Sequence, residues 1–157
     1  LLLEAGGVDL YTYLQKSGPL AESNTFRIFQ QLLEGVVAMH ERGIAHLDLK
    51  AENVLVDPET KQVTIIDFGS AQEYERTMGE AGVLLDAGTA LCKCPGRLRG
   101  RNVQPLASEL WSCGALLAQM LSGGHRPTLE NENFDDQAAV ALRFWEAGEW
   151  VPLREEG

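Results

Sequence analysis

The stretch that decides the fold of this chain reads His46-Leu47-Asp48-Leu49-Lys50-Ala51-Glu52-Asn53, and Asp67-Phe68-Gly69 follows it farther along. Asp48 can accept a proton, and Lys50 carries a positive charge two residues later. Asn53 and Asp67 both offer hard oxygen atoms, which are the ligands that Mg²⁺ prefers in proteins. A proton acceptor, a cation and two metal ligands are the groups required to move a phosphoryl group onto a hydroxyl. Asp48 is therefore the candidate catalytic base.

Two short β-branched runs lie between these motifs, Val54-Leu55-Val56 and Val63-Thr64-Ile65-Ile66. Asp57-Pro58-Glu59-Thr60 joins them and is typical of a turn, so the sequence predicts an antiparallel hairpin. Asn53 stands at the head of the first strand and Asp67 at the tail of the second. Because the strands of a hairpin run in opposite directions, we expect these two residues at the same end of it.

The longest regular segment precedes the first motif. Gly18-Pro19 makes a turn, and Ser23 or Asn24 is suited to cap the helix that follows. Gly43 fits the left-handed position just past the end of this helix. One face of the helix carries side chains at helical spacing, namely Phe29, Leu32, Leu33, Val36, Val37 and His40.

Other segments complete the predicted fold, which is mainly α with a small β-hairpin. Leu1 to Leu3 predict the end of a buried strand, and Asp9 to Leu14 predict a short helix. Residues 70–101 show little periodicity and predict a long, partly mobile loop that faces the substrate. Ser108 is a candidate cap for a helix that Gly123-Gly124 ends, and Asp135 to Trp145 predict a last amphipathic helix. The helix after Ser108 is apolar around most of its circumference, which is typical of the centre of a domain; its apolar residues are Leu110, Trp111, Cys113, Leu116, Leu117, Met120 and Leu121.

The composition sets limits on partners and compartment. The 157 residues are enough for one domain, residues 1–157, and no apolar run reaches the roughly 20 residues of a membrane span. A net charge of −10 argues against nucleic acid as a partner and is compatible with a basic peptide, although acidic surfaces mostly serve solubility. Three cysteines do not form a paired disulfide framework, which favours a cytoplasmic location. Cys92-Lys93-Cys94 is either half of a metal site or a pair of ordinary loop thiols.

Several segments carry a family resemblance. The run HLDLKAENVLVD (46–57) resembles the catalytic loop of eukaryotic protein kinases, and IIDFGSA (65–71) resembles their metal-binding loop. Leu2-Leu3-Glu4 resembles the hinge of that family, and ELWSCG (109–114) resembles the start of its central helix. The resemblance implies a partial kinase domain that holds the hinge and most of the C-terminal lobe, truncated at both ends. Lys50 resembles the Ser/Thr type of the family. The sequence around it is most similar to the calcium/calmodulin-dependent group, including the myosin light chain and Pim kinases.

The resemblance also implies roles for individual residues, with ATP and Mg²⁺ as cofactors and a protein hydroxyl as the acceptor. Asp48 would be the catalytic base, Lys50 would neutralise the transferring phosphoryl group, and Thr89 would hydrogen-bond both of them. Asn53 and Asp67 would hold Mg²⁺. Glu52 matches a position that contacts basic substrates. The nucleotide would contact the backbone of the hinge, the floor of the pocket and a ribose-binding side chain, which correspond to Glu4, Gly6, Leu55 and Asp9.

Some positions depart from the family pattern. Leu47 stands where many kinases have Arg, although light chain kinases share this Leu, and Gly96 replaces the Glu of the Ala-Pro-Glu motif. Glu109 replaces an Asp that anchors the catalytic loop, so either the extra methylene is absorbed or those hydrogen bonds loosen. The sequence shows no glycine-rich phosphate loop and no strand Lys, so these 157 residues alone are expected to be inactive without a small lobe. A pseudokinase that binds partners without chemistry is one alternative, and a small-molecule phosphotransferase of the aminoglycoside or choline kinase type is another.

Overall fold

The structure is a computed structural model that describes residues 7–74 and 88–124. Within these two ranges the helices are α1 (Leu10–Ser17), α2 (Glu22–Glu41), α3 (Pro95–Leu98) and α4 (Pro105–Ser122). The strands of the same ranges are β1 (Val8–Asp9), β2 (Ile44–Ala45), β3 (Val54–Val56), β4 (Val63–Ile65) and β5 (Gln72–Glu73). The result is a helical body with small antiparallel sheets. The predictions for Leu1 to Leu3, Glu4, Gly6 and Asp135 to Trp145 lie outside the described residues.

The predicted hairpin is confirmed and is part of a larger sheet. β3 and β4 are antiparallel, with Val54 opposite Ile65, and β1 adds a third strand on the other side of β3. Ile66 N–H donates to the Asn53 carbonyl at 2.9 Å, which ties the end of one strand to the start of the other. This bond places Asn53 and the following Asp67 at the same end of the hairpin.

A second, two-stranded sheet joins β2 to β5, with Ile44 opposite Glu73. Together with α3 and a 3-10 turn at Ala90–Cys92, it shows that the prediction of an irregular loop over residues 70–101 is wrong for the part that the structure describes. The pairing brings the chain that follows Gly69 against the strand that leads into His46. The two sequence motifs are therefore linked by both sheets.

α2 packs against α4 largely through the predicted face: Leu32, Val36 and His40 are buried, and Phe29 and Leu33 pack against the core partly buried. Its buried residues are Thr25, Ile28, Leu32, Val36 and His40, whereas Val37 is 52% exposed. The N-cap is Ala21, so the prediction of Ser23 or Asn24 is wrong. Leu20 N–H donates to the Met120 carbonyl at 3.0 Å, so docking on α4 fixes the helix start without a side-chain cap. Gly43 has φ +69°, which confirms the predicted left-handed position.

α4 begins four residues earlier than predicted, since its N-cap is Gln104 and not Ser108. Pro105 occupies its first position, where a fixed φ favours helix, and Ser108 is a buried interior residue, not the cap. Leu106 and Leu110 are 42% and 50% exposed, so one apolar face of this helix is not covered. Gly123, with φ +75°, ends the helix as predicted.

The main core forms where α1, α2 and α4 meet the inner face of the β1-β3-β4 sheet. Burying this much apolar surface is the main favourable term that holds the three helices on the sheet. Its fully buried large side chains include Leu10, Leu14, Ile28, Leu32, Val54, Val56, Leu116 and Met120. Among the described residues, no helix has the length and hydropathy of a membrane span.

Candidate active site

The Asp48 carboxylate lies at the centre of the site. Its Oδ1 accepts from the Thr89 backbone N–H at 2.7 Å and from the Thr89 hydroxyl at 2.9 Å, and its Oδ2 lies 2.9 Å from Lys50 Nζ. Lys50 also donates to Thr89 Oγ1 at 3.1 Å, which closes a three-membered cluster. The side chains of Asp48 and Lys50 are 12% and 25% exposed. The structure thus brings together Asp48, Lys50 and Thr89, the three predicted catalytic residues.

These contacts set the ionisation of the pair. Burial raises the pKa of the Asp48 carboxyl, but the hydrogen bonds from Lys50 and Thr89 together outweigh burial and hold it below the ordinary value of 3.8. The hydrogen bond to Asp48 is the largest effect on Lys50, and it raises the pKa of that ammonium above 10.5 despite desolvation. Asp48 is therefore ionised and Lys50 is charged at neutral pH.

Asn53 is held by the catalytic loop itself. Its Nδ2 donates to the Asp48 carbonyl at 2.9 Å and contacts Asp48 Oδ2 at 3.3 Å, and the side chain is buried. Both amide hydrogens are thus directed at Asp48, which leaves Oδ1 as the free hard oxygen donor. Asp67 is exposed and in the left-handed region at φ +62°, and its Oδ1 accepts from Gly69 N–H at 3.2 Å. Two oxygen ligands of the predicted kind therefore stand at one end of the hairpin.

His46 connects the two motifs. Its Nε2–H donates to the Ile66 carbonyl at 2.9 Å, and its Nδ1 accepts from Asp48 N–H at 3.3 Å. The Phe68 ring lies 5.0 Å from the His46 ring, centroid to centroid, at an angle of 55°. The packing of these two rings holds the residue after Asp67 against the loop that carries Asp48.

Glu109 anchors the backbone of the catalytic loop. Its Oε1 accepts from Leu47 N–H at 2.7 Å, and the carboxylate is 1% exposed. The extra methylene is absorbed at this contact, because the longer side chain reaches Leu47 and leaves its second oxygen to accept from His40 Nε2–H. Leu47 has φ +66°, a costly conformation for a leucine that the surroundings must hold in place.

Two further residues hold Leu47. Arg97 is buried and donates to the Leu47 carbonyl at 3.3 Å and to Ser108 Oγ at 3.2 Å. Gly88, at φ +91°, comes so close that a Cβ there would lie 2.2 Å from the Leu47 carbonyl oxygen. Arg97 falls in the segment that was predicted to be a partly mobile loop, residues 70–101, and no local pattern distinguishes it from Arg99 or Arg101.

His40 is a second site residue that the sequence analysis treated only as part of a core face. It contacts Glu109 through Nε2 and the Tyr74 hydroxyl through Nδ1, and it is buried. A histidine on the apolar face of a helix needs polar partners, and this requirement was the available signal. No comparable signal singled out Tyr74.

Two of the four predicted nucleotide-contacting residues, Asp9 and Leu55, lie on one face of the sheet. Asp9 and Leu55 are directly paired in the β1–β3 register, so their side chains share a face opposite to the core residues Val54 and Val56. Asp9 Oδ1 also caps α1 by accepting from Thr12 N–H at 2.8 Å. Glu4 and Gly6 lie outside the described residues.

The three cysteines, Cys92, Cys94 and Cys113, are buried and form no disulfide. Burial and the nearby Glu109 carboxylate raise the pKa of the Cys113 thiol to about 12, so it stays protonated. In residues 7–74 and 88–124, no group of three or more His, Cys, Asp or Glu side chains is arranged to hold a metal ion.

Comparison with known proteins gives this arrangement its family. The family model described as "Protein kinase domain" matches residues 1–148. The chain belongs to the protein kinase family. Its kinase relatives include CBL-interacting protein kinase 17 of Oryza sativa subsp. japonica, 36% identical over 137 residues, which are 87% of this chain and 28% of that protein.

Two more kinases extend the comparison to other organisms. CBL-interacting serine/threonine-protein kinase 1 of Arabidopsis thaliana is 32% identical over 117 residues, 74% of this chain and 26% of that protein. Probable serine/threonine-protein kinase HSL1 of Saccharomyces cerevisiae is 35% identical over 129 residues, 81% of this chain and 8% of that protein. The chain thus spans about a quarter of the plant kinases. The resemblance to Ser/Thr protein kinases that the catalytic-loop sequence carries is confirmed.

Proposed function

We propose that these residues form most of the C-terminal lobe of a Ser/Thr protein kinase that transfers the γ-phosphoryl group of ATP to a protein hydroxyl. The observation that carries the proposal is the convergence of Lys50 Nζ and the Thr89 hydroxyl on the Asp48 carboxylate. An ionised carboxylate held at fixed geometry, with a cation 2.9 Å away, is suited to receive a hydroxyl and the phosphoryl group that it attacks.

In this mechanism, Asp48 orients the substrate hydroxyl and accepts its proton as the bond to phosphorus forms. Its lowered pKa keeps the carboxylate ionised at neutral pH. Weak basicity suffices, because phosphoryl transfer has a loose transition state in which positioning outweighs proton abstraction. Lys50 stabilises the negative charge of the transferring group, and Thr89 holds both side chains in place.

The residues present fit Mg²⁺, since Asn53 Oδ1 and the exposed Asp67 carboxylate are hard oxygen donors. When bound, the ion would neutralise charge on the phosphates of ATP. Asn53 has a further role that needs no metal, because its amide fixes the backbone and the carboxylate of Asp48. The face that carries Asp9 and Leu55 would meet the ribose and the adenine, together with the hinge residues Glu4 and Gly6.

The proposal concerns a protein that also carries a small lobe. The 157 residues contain no glycine-rich phosphate loop, so we propose that they do not phosphorylate substrates by themselves. The acid excess of the chain, with Glu52 in the catalytic loop, supports a basic protein substrate, and three cysteines that form no disulfide support a cytoplasmic location. Among the family departures, Glu109 keeps its anchoring contact, which favours an active kinase over a pseudokinase.

The test is phosphorylation of a basic Ser/Thr peptide by the full protein in the presence of MgATP. We expect Asp48→Asn to lower kcat by about 100-fold or more, because the general base is lost. Asp57→Asn is the matched control, since Asp57 is a partly exposed turn residue outside the reacting cluster, whose Oδ1 accepts from Glu59 N–H and Thr60 N–H. Equal activity of Asp48→Asn and wild type would refute the assignment of Asp48.

A further inference from the structure

Tyr74 lies at the end of a hydrogen-bonded chain that reaches the catalytic loop. Its hydroxyl contacts His40 Nδ1, His40 Nε2 contacts Glu109 Oε2, and Glu109 Oε1 accepts from Leu47 N–H at 2.7 Å. Leu47 directly precedes Asp48. One side chain outside the reacting cluster is therefore three contacts away from the backbone that carries the catalytic carboxylate.

Both ring nitrogens of His40 have a partner in this chain. Nε2 lies against Glu109 Oε2 and Nδ1 lies against the Tyr74 hydroxyl, so an arrangement in which Nε2–H donates to the Glu109 oxygen and the hydroxyl donates to Nδ1 gives every group a partner. If Tyr74 lacked its hydroxyl, His40 Nδ1 would lose this hydrogen-bond partner at a partly buried position. The imidazole ring of His40 could then rotate.

The orientation of His40 matters because the two carboxylate oxygens of Glu109 contact different groups: Oε2 contacts His40 and Oε1 contacts Leu47 N–H. A carboxylate that loses its contact on Oε2 can rotate, and rotation removes Oε1 from the Leu47 N–H. Leu47 at φ +66° depends on such contacts to stay in its costly conformation. A shift of Leu47 moves the Asp48 backbone directly.

Tyr74 is held in place by its own backbone and ring. Its N–H donates to the Gly43 carbonyl at 2.8 Å, just beyond the β2–β5 pairing, and its ring packs against Ala45 and Leu47. The ring also meets His40 edge to face at 5.4 Å between centroids. The segment that follows Asp67-Phe68-Gly69 is thereby coupled to the catalytic loop through one tyrosine.

We propose that Tyr74 is a positioning residue, whose hydroxyl acts through His40 and Glu109 to hold Asp48 in its catalytic geometry. This inference rests on the proposed kinase function for its kinetic consequence only. The hydrogen-bonded chain itself is a statement about the folded protein.

The experiment compares Tyr74→Phe, which keeps the ring and its packing, with wild type and Tyr13→Phe. Tyr13 is a matched control because it is a buried core tyrosine on α1, whose ring lies under Lys61 Nζ. In the full protein, we expect Tyr74→Phe to lower kcat for peptide phosphorylation about 3- to 10-fold, the factor expected for one hydrogen bond. KM for ATP stays at the wild-type value, since the nucleotide face is not touched.

A spectroscopic readout separates this inference from the proposed function. Long-range ¹H–¹⁵N spectra of the histidine rings report the environment of each ring nitrogen, and Tyr74→Phe should shift the His40 Nδ1 signal while leaving His46 unchanged. An unchanged His40 signal, or a kcat equal to that of Tyr13→Phe, would overturn the inference. Absence of phosphorylation by wild type would instead refute the kinase proposal, and the His40 signal would still decide whether the hydrogen-bonded chain exists.

Discussion

Replacement of Glu109 by alanine removes the anchor of the catalytic loop. The carboxylate is 1% exposed and accepts from Leu47 N–H at 2.7 Å and from His40 Nε2–H. Each hydrogen bond to a buried charged group contributes about 1.5–3 kcal/mol, so the loss of both, with both donors left buried, lowers the free energy of unfolding by about 3–5 kcal/mol. That loss is a large fraction of the stability of a typical domain.

Urea denaturation followed by tryptophan fluorescence measures this effect, with the m-value compared between variants. Glu34→Ala is the control, because Glu34 is an exposed α2 residue whose contact is a side-chain hydrogen bond from Gln30, and its loss costs about 0.5 kcal/mol or less. Glu109→Asp tests whether the length of the side chain matters. A side chain one methylene shorter must lengthen the contact with Leu47 or the contact with His40. The reasoning is refuted if Glu109→Ala is no more destabilising than Glu34→Ala.

Two further predictions concern pH and backbone space. Because the pKa of Asp48 is lower in the folded protein than its ordinary 3.8, its contribution to stability is present above that value and is lost as the pH falls through the folded pKa. The difference in unfolding free energy between wild type and Asp48→Asn should therefore shrink below about pH 4, and a difference that stays constant from pH 6 to pH 2 would contradict this. Gly88→Ala should destabilise more than Gly100→Ala in thermal melts, because both residues have positive φ but only Gly88 would drive a Cβ against Leu47, and equal melting temperatures would exclude that clash.

The parts of the site that could be predicted from sequence depend on local chemistry. Turn residues fix the hairpin, and the hairpin alone brings Asn53 and Asp67 to one end. The spacing of Asp48 and Lys50 within one loop likewise needs no distant partner. These features follow from residues that are neighbours in sequence, so a single chain suffices to predict them.

The parts that were missed depend on residues far apart in sequence. α2 begins at Glu22 because the Leu20 N–H is bonded to the Met120 carbonyl of α4. No capping residue in the sequence near Glu22 indicates this contact. Arg97 is one of three arginines in a short stretch, and only the position of Leu47 makes it a buried donor. The partner of His40 could be expected to exist, but its identity as Glu109 required the packing of α2 against α4.

The contact between Leu47 and Glu109 spans 62 residues of sequence. Because the two residues are so far apart in sequence, we expect this contact to form only once α4 has docked on α2. The Leu47 amide hydrogen is then sheltered from solvent exchange for as long as the two helices remain together. The hydrogen-exchange rate of the Leu47 amide therefore reports how often α4 separates from the catalytic loop. We expect this rate to equal that of the slowest-exchanging amides of the core.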